Sequence, residues 1–236
     1  MAFRPCGIAY HTPDVIVADN FEEENDEHHD SWRGQHGTRL VAGGNSLTLL
    51  SRDPEDGAAL AAELQAGARN GASVQAAPIG LPLRDEVVIL AVPYTAEAEI
   101  IQQYHAQLPG KILVNITNPL NATYDGLASP PGSSDAEEIA RMVPAGTRVV
   151  KAFNTTFART LVDGTVAGQP LDVFIAGDDA AAKATISQLV EAGGLRAIDV
   201  GPLSRARQLE GIGFLGITLQ GPLGTHFMSA WKLLFP

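Results

Sequence analysis

The spacing of apolar residues changes character repeatedly after residue 37. "DEVVILAVP" and "KILVNITNP" carry continuous apolar runs, the pattern of strands buried on both faces. "SLTLLSR", "ASVQAAP", "TRVVKAF", "LDVFIAG" and "LRAIDVG" are further strand patterns. Helical spacing falls between them. "GTRLVAGG" is predicted to be a short helix ending at a glycine cap. "DPEDGAALAAELQAGA" is a helix with Asp53 as N-cap and Pro54 at its first position. "AEAEIIQQYHAQL", "SSDAEEIARMVP" (started by Ser133 or Ser134) and "DAAAKATISQLVEAG" are three more, and a last helix begins after "GPLS" and runs toward Gln220. Alternation of this kind predicts parallel βαβ units and a doubly wound parallel sheet, an α/β fold.

In such a sheet ligands bind beyond the carboxyl ends of the strands. The informative residues are then Ser51-Arg52, Ala91-Val92-Pro93, Asn118-Pro119 and Phe153-Asn154. NAD enzymes usually place an acid at the end of the second strand to bind the ribose 2′-hydroxyl. Ser51 and Arg52 stand there instead. A guanidinium is a planar fork suited to phosphate, so the pair predicts NADP.

The start of the chain does not match. Gly34 and Gly37 fit the second and third glycines of G-x-G-x-x-G, but Trp32 stands where the first belongs. A tryptophan there should block the tight turn and disturb the approach to the pyrophosphate. The central strand that should precede the turn is replaced by "NDEHHDS", five of whose seven residues are acids or histidines. Burying such a segment in a sheet carries a heavy desolvation cost. Residues 1–36 also hold eight acids against two bases, Arg4 and Arg33, and so supply about half of the net charge of −11. Within them only Val15 to Ala18 form a strand-like apolar run, able to slide into the vacant central position. The codons of residues 26–37, read one base later, accommodate "MSITILGAGNMG", a buried strand followed by a complete glycine fingerprint. Residues 1–36 are therefore expected to be an out-of-frame or poorly packed segment.

Composition narrows the partners. The chain has 236 residues, 45% hydrophobic, with an acidic balance that argues against nucleic acid. No apolar run reaches the roughly 18 residues of a membrane span, and the first residues lack a signal-peptide pattern. The single cysteine, Cys6, fits a reducing compartment, so a cytoplasmic location is expected. His28, His29 and His36 lack ligand spacing on a regular element, so no metal site is expected. His226 and His105 are candidates by type alone: His226 follows a glycine-rich turn near the C-terminus, where an acceptor would lie, whereas His105 sits in a helix between apolar positions and reads as structural or exposed, and no catalytic acid or base is assigned. A homodimer is compatible with the sequence.

The motifs "LLSRDPE", "VVILAVP", "VNITNPL", "VVKAFNT" and above all "IDVGPLSRARQLE" resemble, in order and spacing, the NADPH-dependent F420 reductase (F420H2:NADP oxidoreductase) family over roughly residues 34–236. The resemblance implies a Rossmann-like doubly wound parallel sheet with a small C-terminal α/β extension. It divides the chain into an atypical segment 1–36, a dinucleotide-binding domain 37–150 and an acceptor domain 151–236. It also implies NADP as cofactor, and F420, a flavin or a related small molecule as hydride acceptor. Gly34, Gly37, Ser51, Arg52, Ala91, Val92, Pro93, Asn118, Pro119 and Asn154 would line the cofactor. Ser51 and Arg52 would hold the 2′-phosphate, and Asn154, where the reductases carry a histidine, would lie near the acceptor. Two rings held at near-contact distance need little side-chain chemistry for hydride transfer. The competing expectation is a non-catalytic Rossmann-fold binding protein that has lost a competent glycine-rich turn.

Overall fold

A computed structural model of the chain describes residues 15–19 and 35–236, with side chains from Gly37 onward. The elements run in the order β1 (Val15–Asp19), α1 (Gln35–Ala42), β2 (Leu47–Ser51), α2 (Pro54–Ala66), β3 (Val74–Pro78), β4 (Val87–Ala91), α3 (Tyr94–Tyr104), β5 (Ile112–Asn115), α4 (Asp135–Met142) and β6 (Arg148–Lys151). They continue with α5 (Ala158–Asp163), β7 (Thr165–Val166), β8 (Gln169–Pro170), β9 (Asp172–Gly177), α6 (Ala180–Ala192), β10 (Arg196–Gly201) and α7 (Ala206–Leu223). Eight strands form one sheet in the order β10-β9-β6-β5-β4-β1-β2-β3. The chain winds outward in both directions from β1 and β4, the arrangement of a doubly wound fold.

β1 fills the central place. Its backbone pairs in parallel with both β2 and β4, and Asp19 lies level with Ser51 on one side and Ala91 on the other. The apolar run expected to be able to move into this position does occupy it. Residues 26–32, the stretch that would hold a conventional first strand, lie outside the described residues, as do Trp32 and Gly34.

Strand alternation sorts the core into two layers. Leu47 and Leu49 of β2, Val87 and Ile89 of β4, and Ile112 and Val114 of β5 face a layer that includes Leu40, Leu64, Leu161 and Ile186. Leu50, Val88, Leu90 and Leu113 face the other, against Ile100, Ile101, Ile139 and Ala206. Helix caps follow the sequence. Asp53 accepts from the N–H groups of Glu55 and Asp56, Ser134 caps α4, and Asp179 caps α6. α7 passes Gln220 and stops at Leu223, followed by Gly224 at φ 61°.

The sheet departs from the all-parallel expectation at one join. β9 runs antiparallel to β6, with Val150 opposite Gly177 and Lys151 opposite Ala176. A parallel return needs a crossover that traverses the sheet. Here the chain between the strands holds α5, six residues and about 9 Å long, and the hairpin of β7 and β8. Neither element carries the chain back across the sheet, and β9 enters from the same end. β9 and β10 then continue the same sheet in parallel, so strand pairing is unbroken across residue 150. Among the described residues no helix is long and apolar enough to cross a membrane.

Candidate functional site

The carboxyl ends of β1, β2, β4, β5 and β6 open on one edge of the sheet. Gly37 lies inside α1, where an added Cβ would stand 2.7 Å from Leu64 Cδ1 and 3.2 Å from Leu47 Cδ1. Close helix-to-strand approach is the role of the third glycine in a nucleotide fingerprint. At the end of β2, Ser51 lies under Gly57 of α2, whose added Cβ would meet the Ser51 Cβ at 2.9 Å. Arg52 follows and turns out of the sheet edge. Its Nη2 donates to Glu99 Oε1 of α3 at 2.9 Å, with both side chains open to solvent. Ala91, half-buried, closes β4. Val92 is buried, and Pro93 stands before α3, which has no side-chain cap.

Asn118 and Asn154 form a reciprocal pair. Asn118 Nδ2 donates to the Asn154 backbone oxygen at 2.7 Å, and Asn154 Nδ2 donates to Asn118 Oδ1 at 2.9 Å and to the Leu209 oxygen at 2.9 Å. Asn118 sits against Gly213 of α7, where an added Cβ would fall 2.2 Å from Asn118 Oδ1. Any larger residue at 213 would expel the amide. Asn154 is presented by a strained turn. Phe153, buried, has φ 63°, and the Asn154 N–H bonds the Ala152 oxygen at 2.8 Å. Left-handed backbone at a bulky residue is costly and concentrates where geometry matters. Both Asn154 amide hydrogens have acceptors, so its Oδ1 is the acceptor left over, buried without a partner. Pro119 is buried beside this pair, and its oxygen accepts from the Ala128 N–H at 2.7 Å.

Beneath the two asparagines lies a web of buried polar groups. Lys151, fully buried at the end of β6, donates to Asn115 Oδ1 and to the Thr117 oxygen, the latter at 2.5 Å, and pairs with Glu210 Oε1 at 3.0 Å. Glu210 reaches in from α7 and accepts the Asp135 N–H at 3.1 Å and the Ser129 hydroxyl at 3.2 Å. Its carboxylate thereby serves both the lysine and the amino end of α4, where negative charge is favoured. Asn115 Nδ2 donates to Asp135 Oδ2 at 2.8 Å and to Glu97 Oε1 at 2.9 Å, and Thr117 Oγ1 donates to Glu97 Oε1 at 2.6 Å. Burial, reinforced by the Asp135 carboxylate, pushes the Glu97 carboxyl well above its ordinary range, against the opposing pull of Thr117 and Lys151. The protonated form of Glu97 is thereby favoured, in a web where one lysine faces three buried carboxyl groups. Burial raises the phenol of Tyr94 as well, helped by the negative field of Asp135 and Glu97.

The structure thus brings Asn118, Pro119 and Asn154 together beyond β5 and β6, places Ala91–Pro93 at the end of the adjacent β4, and holds Ser51 and Arg52 at the end of β2, on the far side of β1. His105 lies past the end of α3, at the amino-terminal edge of the sheet and away from the strand ends. His226 is exposed in the turn after α7, at φ 49°. Glu97, Asn115, Asp135, Lys151 and Glu210 were not singled out from sequence. A lysine inside the apolar strand "TRVVKAF" was the available signal, since a buried ammonium requires buried acceptors.

Residues 37–119 match the family model described as NADP oxidoreductase coenzyme F420-dependent. The chain is 34% identical over 189 residues to the F420-dependent NADP reductase of Methanothermobacter marburgensis, covering 77% of this chain and 84% of that protein. It is 35% identical over 175 residues to Metalloreductase STEAP3 of Rattus norvegicus, covering 74% of this chain but spanning a third of that longer protein. Among solved structures, one assigned as an F420-dependent NADP reductase from Arthrobacter sp. FB24 superposes with a TM-score of 0.73 at 29% identity, covering 93% of this chain and 99% of that one.

Proposed function

The chain belongs to the F420-dependent NADP reductase family and is an NADP-dependent oxidoreductase, and from that premise we propose that it moves a hydride between NADP(H) and coenzyme F420, a flavin or a related planar acceptor. The observation that carries the cofactor half is Arg52, a solvent-facing fork at the end of β2, in the place where an acid would favour NAD. Ser51 and Arg52 would hold the 2′-phosphate. Gly34 and Gly37 would bring the backbone of the turn and α1 against the pyrophosphate. Ala91, Val92 and Pro93 would lie along the dinucleotide, with Asn118, Pro119 and Asn154 at its nicotinamide end. NADP supplies the hydride chemistry when bound. The unpartnered Asn154 Oδ1 offers that end of the site one acceptor whose orientation is fixed by its own two donated bonds. Residues 37–150 would serve the nucleotide, and residues 151–236, through Asn154 and α7, the acceptor.

A binding protein without catalysis, one that has lost a competent glycine-rich turn, is the second reading. The likeness to F420-dependent NADP reductases weighs against it, while the pairing of Val15–Asp19 supplies the central strand without bearing on that turn. The test is a fluorescence titration of the chain with NADPH and with NADH. Arg52→Ala should weaken NADPH by about tenfold or more, the worth of a charge-assisted bond to phosphate, while NADH changes little. Equal losses for the two nucleotides would remove Arg52 from the 2′-phosphate, and no binding of either would favour the second reading.

A further inference from the structure

We propose that Glu99 is a specificity-determining residue that moderates the preference for NADP, by holding Arg52 in an ion pair that the 2′-phosphate must displace. The inference rests on the assignment of Arg52 to that phosphate and adds a competitor to it. Glu97 and Glu99 are two residues apart on α3, about 200° around the helix. Glu97 is therefore turned into the buried web while Glu99 is turned outward across the mouth between α3 and β2. The contact with Arg52 is single, Nη2 to Oε1 at 2.9 Å. It engages one of the five guanidinium donors and leaves the forked face undecided. The neighbouring carboxylate of Asp53 is taken up by the N–H groups of Glu55 and Asp56.

An exposed pair of this kind is weak and yields to a doubly charged phosphate that can take the fork bidentately. Displacement still has two costs. Arg52 must give up its partner, and the freed carboxylate is left close to a second anion. Neither cost applies to a dinucleotide without the 2′-phosphate. Glu99 thus lowers affinity for NADPH selectively and brings the two nucleotides closer together than Arg52 alone would place them.

The experiment measures NADPH and NADH dissociation constants by fluorescence titration of the full chain, for the wild type, Glu99→Gln, Arg52→Ala and the double variant. Glu99→Gln is expected to tighten NADPH by about two- to fivefold, the range set by an exposed ion pair, and to leave NADH unchanged. In the Arg52→Ala background the same change should have no effect, because the pair no longer exists. The gain should also shrink at high salt. Weaker NADPH binding in Glu99→Gln would mean that Glu99 positions Arg52 for the phosphate, and would overturn the proposal. So would an unchanged NADPH to NADH ratio, or a gain that persists without Arg52. If Arg52→Ala itself weakens both nucleotides alike, the assignment of Arg52 has failed, and this result is separate from any behaviour of Glu99.

Discussion

On the β5–β6 side of the strand-end cleft, Lys151, Asn115, Glu210, Asp135 and Glu97 form one buried hydrogen-bonded web that ties α3, α4 and α7 to the sheet. On the β1–β2 side, Arg52 faces solvent beside a single exposed partner. There the strand at the centre of the fold is separated from the helix it feeds by residues 20–34. Within the web on the first side, each of these five side chains is held by partners in the protein. The second keeps its charge exchangeable. A site that must bind and release a dinucleotide needs both: a rigid frame that fixes the reacting end, and a phosphate end whose contacts can be traded for water and back.

The largest effect expected from breaking this contrast lies in the web. Lys151→Met removes the buried cation and leaves Glu210 and Asp135 facing each other without it. Removing one partner of a buried pair costs about 3–5 kcal/mol, because the surviving charge stays desolvated. Chemical denaturation of the variant should show that loss, or no folded protein. Replacing Lys151 and Glu210 together by Met and Gln should recover part of it, since no unpaired charge then remains between them. A single variant with wild-type stability would mean that water reaches Lys151 and that the web is not closed.

A second effect, smaller, lies on the open side. Residues 26–36 can be replaced by the shifted-frame reading, so that a glycine-rich turn runs directly into α1. Shaped backbone N–H groups at a helix end would then meet the pyrophosphate, and the segment preceding α1 would lose the three acids Asp26, Glu27 and Asp30, which lowers the negative charge met by an anion. NADPH should bind more tightly by about tenfold or more, as expected for charge-assisted bonds of roughly 1.5–3 kcal/mol. Thermal midpoints with and without NADPH check this. If both proteins bind NADPH equally well, residues 15–36 build a working turn of their own.

Legibility in the sequence follows the same division. β4 and β5 could be read from their apolar runs because both faces of each strand are buried. Asp53 and Ser134 could be read as caps because a cap is a local arrangement of two or three residues. Arg52 and the two asparagines could be placed beyond strand ends because each follows closely on a readable strand. α5 and the β7–β8 hairpin escaped, since elements of six and two residues are too short to show a period. The reversal between β6 and β9 escaped too. The web was hidden for a different reason. Glu97, Asp135 and Glu210 are spread over three helices, where each alone reads as a surface charge, and only Lys151, inside an apolar strand, hints at burial. Only the fold brings Glu210 to the amino end of α4 and Lys151 between Asn115 and Glu210. Even the motif "IDVGPLSRARQLE", the strongest family signal, gains a physical meaning only when its final glutamate is seen to close the web.

The smallest change per step is expected in the pH dependence of the web. Glu97 has a folded pKa raised above its unfolded value by burial and by Asp135. The charged groups facing it are Asp135 from α4, Lys151 from β6 and, further out, Glu210 from α7. A carboxyl raised in this way binds its proton more tightly in the folded state. The stability it confers is complete below the ordinary glutamate range and is lost as pH rises from there through its raised folded pKa. Glu97→Gln keeps an acceptor for Asn115 and Thr117 and offers Asp135 an amide N–H in place of the carboxyl proton, but it cannot ionise. The variant should match the wild type near pH 4.5 and then gain on it by up to about 1.4 kcal/mol for each pH unit across that window. Denaturation midpoints measured at intervals between pH 5 and 9 test the slope. Parallel curves for the two proteins would show that Glu97 is already ionised in the fold. Lys151 would then be neutralising part of three buried carboxylates, and the frame on this side of the cleft would be held by charge balance rather than by a shared proton.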